Sequence, residues 1–181
     1  HRNLIVAGNF NMTNVKELFD SLVELGQHPK EMADTVTVME KIGHFLDEEV
    51  TDLYLECKNN GLTKREASPV IAEKLDIAKI LKRASRGWDG GYAMAGLIGN
   101  GDSFVLRDPA GIRPAFWFEN DEICVVASER PVIQTAFNLQ IDDIKELQPG
   151  HALIIKRNGK VTEELINTPT KLSKCSFERI Y

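Results

Sequence analysis

The sequence predicts an α+β fold, with helices packed on antiparallel sheet, and three observations carry that prediction. Apolar residues in the first half recur at helical spacing, whereas from Gly91 onward they fall in short runs separated by turn signals. One apolar stretch, residues 3–8 (NLIVAG), reads as a lone strand ahead of the helices. A single strand satisfies none of its backbone groups, so it must pair with strands of the second half.

Residues 3–8 are continuously apolar and are expected to be buried on both faces. "GNFNMTN", residues 8–14, then reads as a strand-to-helix turn, with Thr13 and Asn14 as caps of the helix that follows. That helix carries Val15, Leu18, Phe19, Leu22 and Val23 on one face, Glu17 in its first turn and Gly26 as its stop. The stretch from Met32 to Gly61 keeps the same period, with Val36, Met39, Ile42, Leu46 and Val50 as the inward face. Thr63 and Glu66 stand at capping-box spacing ahead of a third helix, with Pro69 expected in its first turn. "DIAKILKRAS" is the fourth helix.

The second half reads as strands GYAMAGLIG, DSFVLRD, PAFWFEN and EICVVAS, then a short helix ERPVIQTAFN, then strands DIKEL, HALIIKRNG and VTEELI. Turns fall at GNGD, DPAG, END and RNGK, and the Asn-Gly of the last is a hairpin signal. No internal repeat or low-complexity linker interrupts the chain.

A chain of 181 residues fits one domain and needs no disulfide or metal staple to bury a core. Its formal charge of −5, from 22 basic and 27 acidic residues without a basic stripe, argues against nucleic acid. The three cysteines, Cys57, Cys124 and Cys175, are odd in number and far apart, which favours a reducing compartment. With no apolar run long enough to span a membrane and no signal pattern, the protein reads as cytoplasmic. The chain opens at His1 inside apolar sequence and closes on "CSFERIY", so both ends read as cut from a longer polypeptide.

Residue chemistry alone names no reaction. The glycines of "GNGD" and "DGGYAMAG" sit at strand ends without a following helix and read as turns. His1, His28, His44 and His151 are scattered, without zinc-ligand spacing. Asp47, Glu48 and Glu49 read as a solvated helix face. No GxSxG elbow and no Cys near a His in sequence offers a nucleophile.

The order of motifs says more. "GNFNMTNVKELF", "ADTVTVMEKI", "GWDGGYAMAGLI", "SFVLRDPAGIRP", "EICVVASER", "LQPGHALII" and "CSFERIY" together closely resemble the glutamine amidotransferase domain of the amidophosphoribosyltransferases, over nearly the whole chain. "RDPAGIRP" with "VVASE" is shared in looser form by other class II amidotransferases; "CSFERIY" resembles the segment leading into the phosphoribosyltransferase domain. On this resemblance residues 1–181 are one partial type 2 amidotransferase domain, with 173–181 the start of the connection to a second domain.

The resemblance implies an N-terminal nucleophile hydrolase fold, an αββα sandwich of two antiparallel sheets between helical layers. It also implies a mechanism: an amino-terminal Cys thiolate attacks the glutamine side-chain amide, its own α-amino group acts as base, and the ammonia released forms phosphoribosylamine from phosphoribosyl pyrophosphate. Asn9 matches the oxyanion-hole Asn of the family, and Phe10 takes the place of the family's Gly, offering only its backbone N–H. Asp34, in "ADTVTV", matches the carboxylate that binds the glutamine α-amino group, although a helix start favours a carboxylate on its own account. Asn11 is left open between site and cap. Arg107, Asp108, Gly111, Arg113 and Pro114 are read as scaffold, with Arg107 and Asp108 holding a turn by hydrogen bonds.

The nucleophilic Cys and the family's His-x-Arg-Tyr segment would both precede His1, so the chain as given is expected to be inactive. No cofactor is implied for this stretch. Mg2+ and an iron–sulfur cluster belong to the full-length enzyme, with Cys175 as one candidate cluster ligand beside a structural role for it. The partners implied are glutamine, the phosphoribosyltransferase domain of the same chain and, at full length, further copies in a homo-oligomer, with neither nucleic acid nor membrane. The alternatives are a pseudo-amidotransferase with a regulatory or assembly role, motivated by Phe10, and another class II enzyme such as asparagine synthetase or glucosamine-phosphate synthase.

Overall fold

The computed structural model describes residues 1–176; residues 177–181 of "CSFERIY" lie outside the described residues. Two antiparallel sheets stack face to face. The larger has five strands in the order β1 (Leu4–Met12), β2 (Gly90–Ile98), β3 (Ser103–Arg107), β7 (His151–Ile155) and β8 (Val161–Leu165). The smaller runs β5 (Cys124–Ala127), β4 (Phe116–Glu119), β6 (Lys145–Glu146). Helices α1 (Val15–Glu24), α2 (Asp34–Asn59), α3 (Lys64–Lys74) and α4 (Ile77–Ala84) cover the outer face of the large sheet, and α5 (Arg130–Phe137) packs on β4 and β5. The α+β class and the expected elements are therefore present.

Each layer follows from its residues. The main core sits between helices and large sheet, where Val38, Ile42, Leu46 and Val50 of α2 meet Tyr92, Met94, Phe104 and Leu106. A smaller cluster of Val105, Ala115, Trp117, Leu147 and Leu153 fills the space between the sheets. Thr63 and Glu66 form the expected capping box at the start of α3, and Asp76 caps α4 by accepting from Lys79 N at 2.8 Å. The RNGK turn closes with Gly159 N donating to the Lys156 carbonyl at 2.8 Å, Gly159 taking φ +85°. That left-handed glycine beside a non-glycine turn is the longer hairpin connection rather than the two-residue one.

Several expectations need correction. β1 does not stop at Gly8 but runs on to Met12, paired with β2 along its whole length, because tertiary pairing outweighs the poor strand propensity of Gly and Asn. Nor is it buried on both faces: Leu4, Val6, Phe10 and Met12 face the helices, while Ile5 on the other side is 65% exposed. "DGGYAMAG" is the start of β2, not a turn.

On α2 the inward residues include Thr37, Val38 and Lys41 in place of Val36 and Met39. Glu49 is turned inward, its side chain 7% exposed and paired with Lys79 at 2.5 Å, so the acidic run is not uniformly solvated. Pro69 lies in the second turn of α3, past the positions where a missing N–H costs nothing. Asn14 occupies the α1 cap position without a capping hydrogen bond. Its carboxamide instead donates to the Gly87 carbonyl at 2.9 Å and accepts from Asp89 N at 3.3 Å, and Thr13 Oγ1 donates to Asp89 at 2.5 Å. These side chains fasten the end of β1 to the approach of β2.

Candidate active site

The parity of β1 decides which of its groups are available. Gly99 N donates to the Asn3 carbonyl and Thr13 N to the Asp89 carbonyl, both at 2.9 Å, so odd-numbered residues of β1 exchange backbone bonds with β2. Even-numbered residues therefore direct N–H and C=O to the other side, and β1 is the terminal strand of its sheet. The N–H groups of Phe10 and Met12 lie on that free edge.

Asp34, at the first position of α2, meets this edge. Its Oδ2 accepts from Met12 N at 2.8 Å, which ties the helix start to the strand and fixes the carboxylate beside the edge. Phe10 N–H points the same way two residues earlier, about 6.8 Å along the strand.

Side chains alternate, so Asn9 and Phe10 point to opposite faces. Phe10 packs, half-buried, against the helix-side core. Its φ is not positive, so the bulk that replaces glycine strains no backbone here and stays out of the inter-sheet space. Asn9 faces that space. It lines a cleft of about 300 Å³ with a floor of Ala7, Ala93, Ala95 and Val105 and a far wall of Arg113, Pro114 and Ala115, closed by β5. No described residue takes a hydrogen bond from the Asn9 carboxamide. Asn11, exposed on the same face as Asn9, lies outside the cleft lining.

The turn after β3 supplies the wall. Arg107, 1% exposed, donates from Nε to the Arg113 carbonyl at 2.7 Å and from Nη1 to Glu146 at 2.9 Å and to the Leu147 carbonyl. Asp108, fully buried, accepts from Ile112 N and Arg113 N at 2.9 Å. Both residues hold the turn by these bonds, as expected. Nearby Tyr92 is buried, and burial with the Asp108 charge holds its phenol well above the usual range despite a bond from Asn167.

The cysteines stand elsewhere. Cys57 is buried in the helical layer, Cys124 lies on β5, and Cys175 lines a neighbouring cavity of about 380 Å³ with Phe116, Arg130 and Lys174, which shares Pro114 and Ser128 with the Asn9 cleft. Burial pushes the Cys124 thiol up, as does the neighbouring Glu119. Among the described residues no group of three or more His, Cys, Asp or Glu side chains could hold a metal ion. One thiolate at Cys175 could supply at most one of the four ligands an iron–sulfur cluster takes. No helix among the described residues is long and apolar enough to cross a membrane.

Comparison with known proteins adds relatives that run the length of the chain. The Escherichia coli K12 amidophosphoribosyltransferase is 27% identical over 184 residues, covering 98% of this chain and 32% of the relative. Along its whole length the chain is similar to amidophosphoribosyltransferases. The Pseudomonas aeruginosa enzyme matches at 26% over the same span, and that of Methanothermobacter thermautotrophicus at 32% over 110 residues, 60% of this chain and 22% of the relative. No family model matches. Among solved structures, the Bacillus subtilis glutamine phosphoribosylpyrophosphate amidotransferase, complexed with ADP and GMP, superposes with a TM-score of 0.66 at 23% identity over 98% of this chain and 32% of that one. A structure described as the allosteric regulatory enzyme of purine biosynthesis gives 0.65 at 24% identity, over 98% and 31%. These two establish the shared fold, antiparallel sheets with helical layers. The chain spans about a third of the length of the relatives that match it end to end.

The sequence nominates Asn9, Phe10 and Asp34 and reads Arg113 and Pro114 as scaffold, but it does not place those two in the cleft wall or give the parity of β1. Pairing parity depends on which strand lies alongside, and no local signal carries it.

Proposed function

We propose that this chain is the greater part of the glutamine-hydrolysing domain of an amidophosphoribosyltransferase, supplying ammonia to make phosphoribosylamine in purine synthesis. One observation carries the proposal. Asn9 lines the cleft mouth while Phe10 N–H and the Asp34 carboxylate stand on the adjacent free edge of β1. The separation along that edge is comparable to the reach of an extended glutamine from α-amino group to side-chain amide. The Asp34 carboxylate suits the ammonium, and Asn9 with Phe10 N–H suits the oxyanion formed at the amide. A donor of this kind contributes about 3 to 4 kcal/mol to transition-state stabilisation.

None of the described cysteines lines the cleft beside Asn9, so the nucleophile is expected from elsewhere in the parent protein and the 181-residue chain alone is expected to be inactive. Mg2+, the phosphoribosyltransferase domain and homo-oligomer formation belong to that parent on the same reading. The test is glutaminase activity of the full-length parent with and without phosphoribosyl pyrophosphate, beside Asn9→Ala. Glutamate release that rises with phosphoribosyl pyrophosphate and collapses in the variant supports the proposal. No hydrolysis by a well-folded parent would sink it in favour of a regulatory pseudo-amidotransferase.

A further inference from the structure

We infer that Asp108 is a positioning residue for the cleft: its buried carboxylate fixes the spacing between the floor on β2 and the wall at residues 113–115. The role rests on the glutaminase reading above.

A residue that only stabilised its own turn would bond within that turn. Asp108 also reaches across to the sheet. Its Oδ2 accepts from Tyr92 N at 3.3 Å as well as from Arg113 N at 2.9 Å, and Oδ1 takes Ile112 N at 2.9 Å. The Asp108 main chain strengthens the same joint, donating to the Tyr92 carbonyl at 2.8 Å and accepting from Gly150 N at 3.0 Å. Tyr92 precedes Ala93, which lies on the cleft floor and is the cross-strand partner of Asn9; Arg113 begins the opposite wall. One carboxylate therefore links floor and wall.

Gly91 completes the joint. A Cβ there would stand 2.7 Å from Ile112 Cγ2, so only glycine lets the Ile112 side chain settle against β2. Wall and floor are thus held together by the Asp108 oxygens and allowed together by the bare backbone of Gly91. Asp108 is 0% exposed and does not line the cleft, so it acts through these neighbours.

Asp108→Asn keeps the volume but replaces one acceptor by a donor, leaving at least one of the three N–H groups without its partner. In the full-length parent it should raise KM for glutamine by about ten- to a hundredfold, since displacement of a binding wall misplaces the substrate. Its kcat at saturating glutamine should stay close to that of the unmodified enzyme. Gly91→Ala, which pushes on Ile112 without touching the carboxylate, should reproduce the KM-led change. Asn9→Ala should show the opposite split, losing kcat. If Asp108→Asn lowers only the melting temperature, with KM and kcat unchanged well below it, the carboxylate is merely structural and the inference is overturned. If that variant does not fold, Gly91→Ala decides, an unchanged KM again overturning it. A well-folded parent that hydrolyses no glutamine removes the glutaminase reading itself, and the positioning role goes with it.

Discussion

Arg107→Met removes a guanidinium that is 1% exposed and keeps the length and apolar stem of the side chain. Two carbonyls lose firm donors, those of Arg113 at 2.7 Å and of Leu147; the third contact, to the Gly111 carbonyl at 3.4 Å, is marginal. A buried acceptor left unpaired costs about 1 to 3 kcal/mol. Glu146 loses its ion pair but is 30% exposed, with Lys174 at 3.8 Å, so its share falls toward the small value of a solvated pair. The expected loss is about 2 to 6 kcal/mol, a large part of the 5 to 15 typical of a whole domain.

Urea unfolding followed by tryptophan emission reads this directly, because Trp88 and Trp117 are both buried. With a slope of about 2 kcal/mol/M the midpoint should fall by roughly 1 to 3 M. Arg107→Lys restores a charge near Glu146 but not the fork to the carbonyls, and should recover only a minor part. A loss under about 1 kcal/mol in the Met variant, or full recovery with Lys, would refute the reasoning that buried carbonyls dominate.

Other outcomes follow from the same physics. Gly150→Ala should be far more damaging than Gly159→Ala, though both have positive φ, because a Cβ at Gly150 stands 2.2 Å from the Asn167 carbonyl oxygen while that at Gly159 meets nothing. Gly159→Ala should cost only the conformational penalty of about 1 to 2 kcal/mol, measured by the same unfolding assay. Thr63→Ala should cost about 1 kcal/mol through the lost α3 cap. Glu66 is held below the usual carboxylate range by the Thr63 side-chain and then backbone hydrogen bonds, so its contribution is complete above that range and is lost as pH falls through its folded value. The difference between Thr63→Ala and the unmodified chain should accordingly shrink in acid. Lys41 is held below the usual lysine range by burial and then by Arg86, so the unfolded chain binds more protons there and stability should rise with pH up to that range. Lys41→Met should flatten this rise in a series of melts across alkaline pH.

The helices, their order and most strands were legible in the sequence because each rests on local periodicity and on local punctuation: Gly26, the Thr63–Glu66 box, the Asn-Gly of RNGK. The turn role of "RDPAGIRP" came with the family resemblance, and in the structure Arg107 and Asp108 bond across that turn. The end of β1 was not. Local propensity reads Gly, Asn and a polar cap as a turn, but β2 lies alongside and nine cross-strand pairs extend the strand through Met12.

The consequence reaches the site. Sequence by itself nominated Asn9 and Asp34 as site candidates, through the order of motifs and the resemblance they carry, because residue type fixes what a group can donate or accept. Only the tertiary structure decided where each points. Strand pairing turned the Phe10 N–H to a free edge and its ring to the core, and the packing of α2 against β1 brought Asp34 to Met12 from 22 residues away. Direction is a property of neighbours in space, which one-dimensional spacing does not contain.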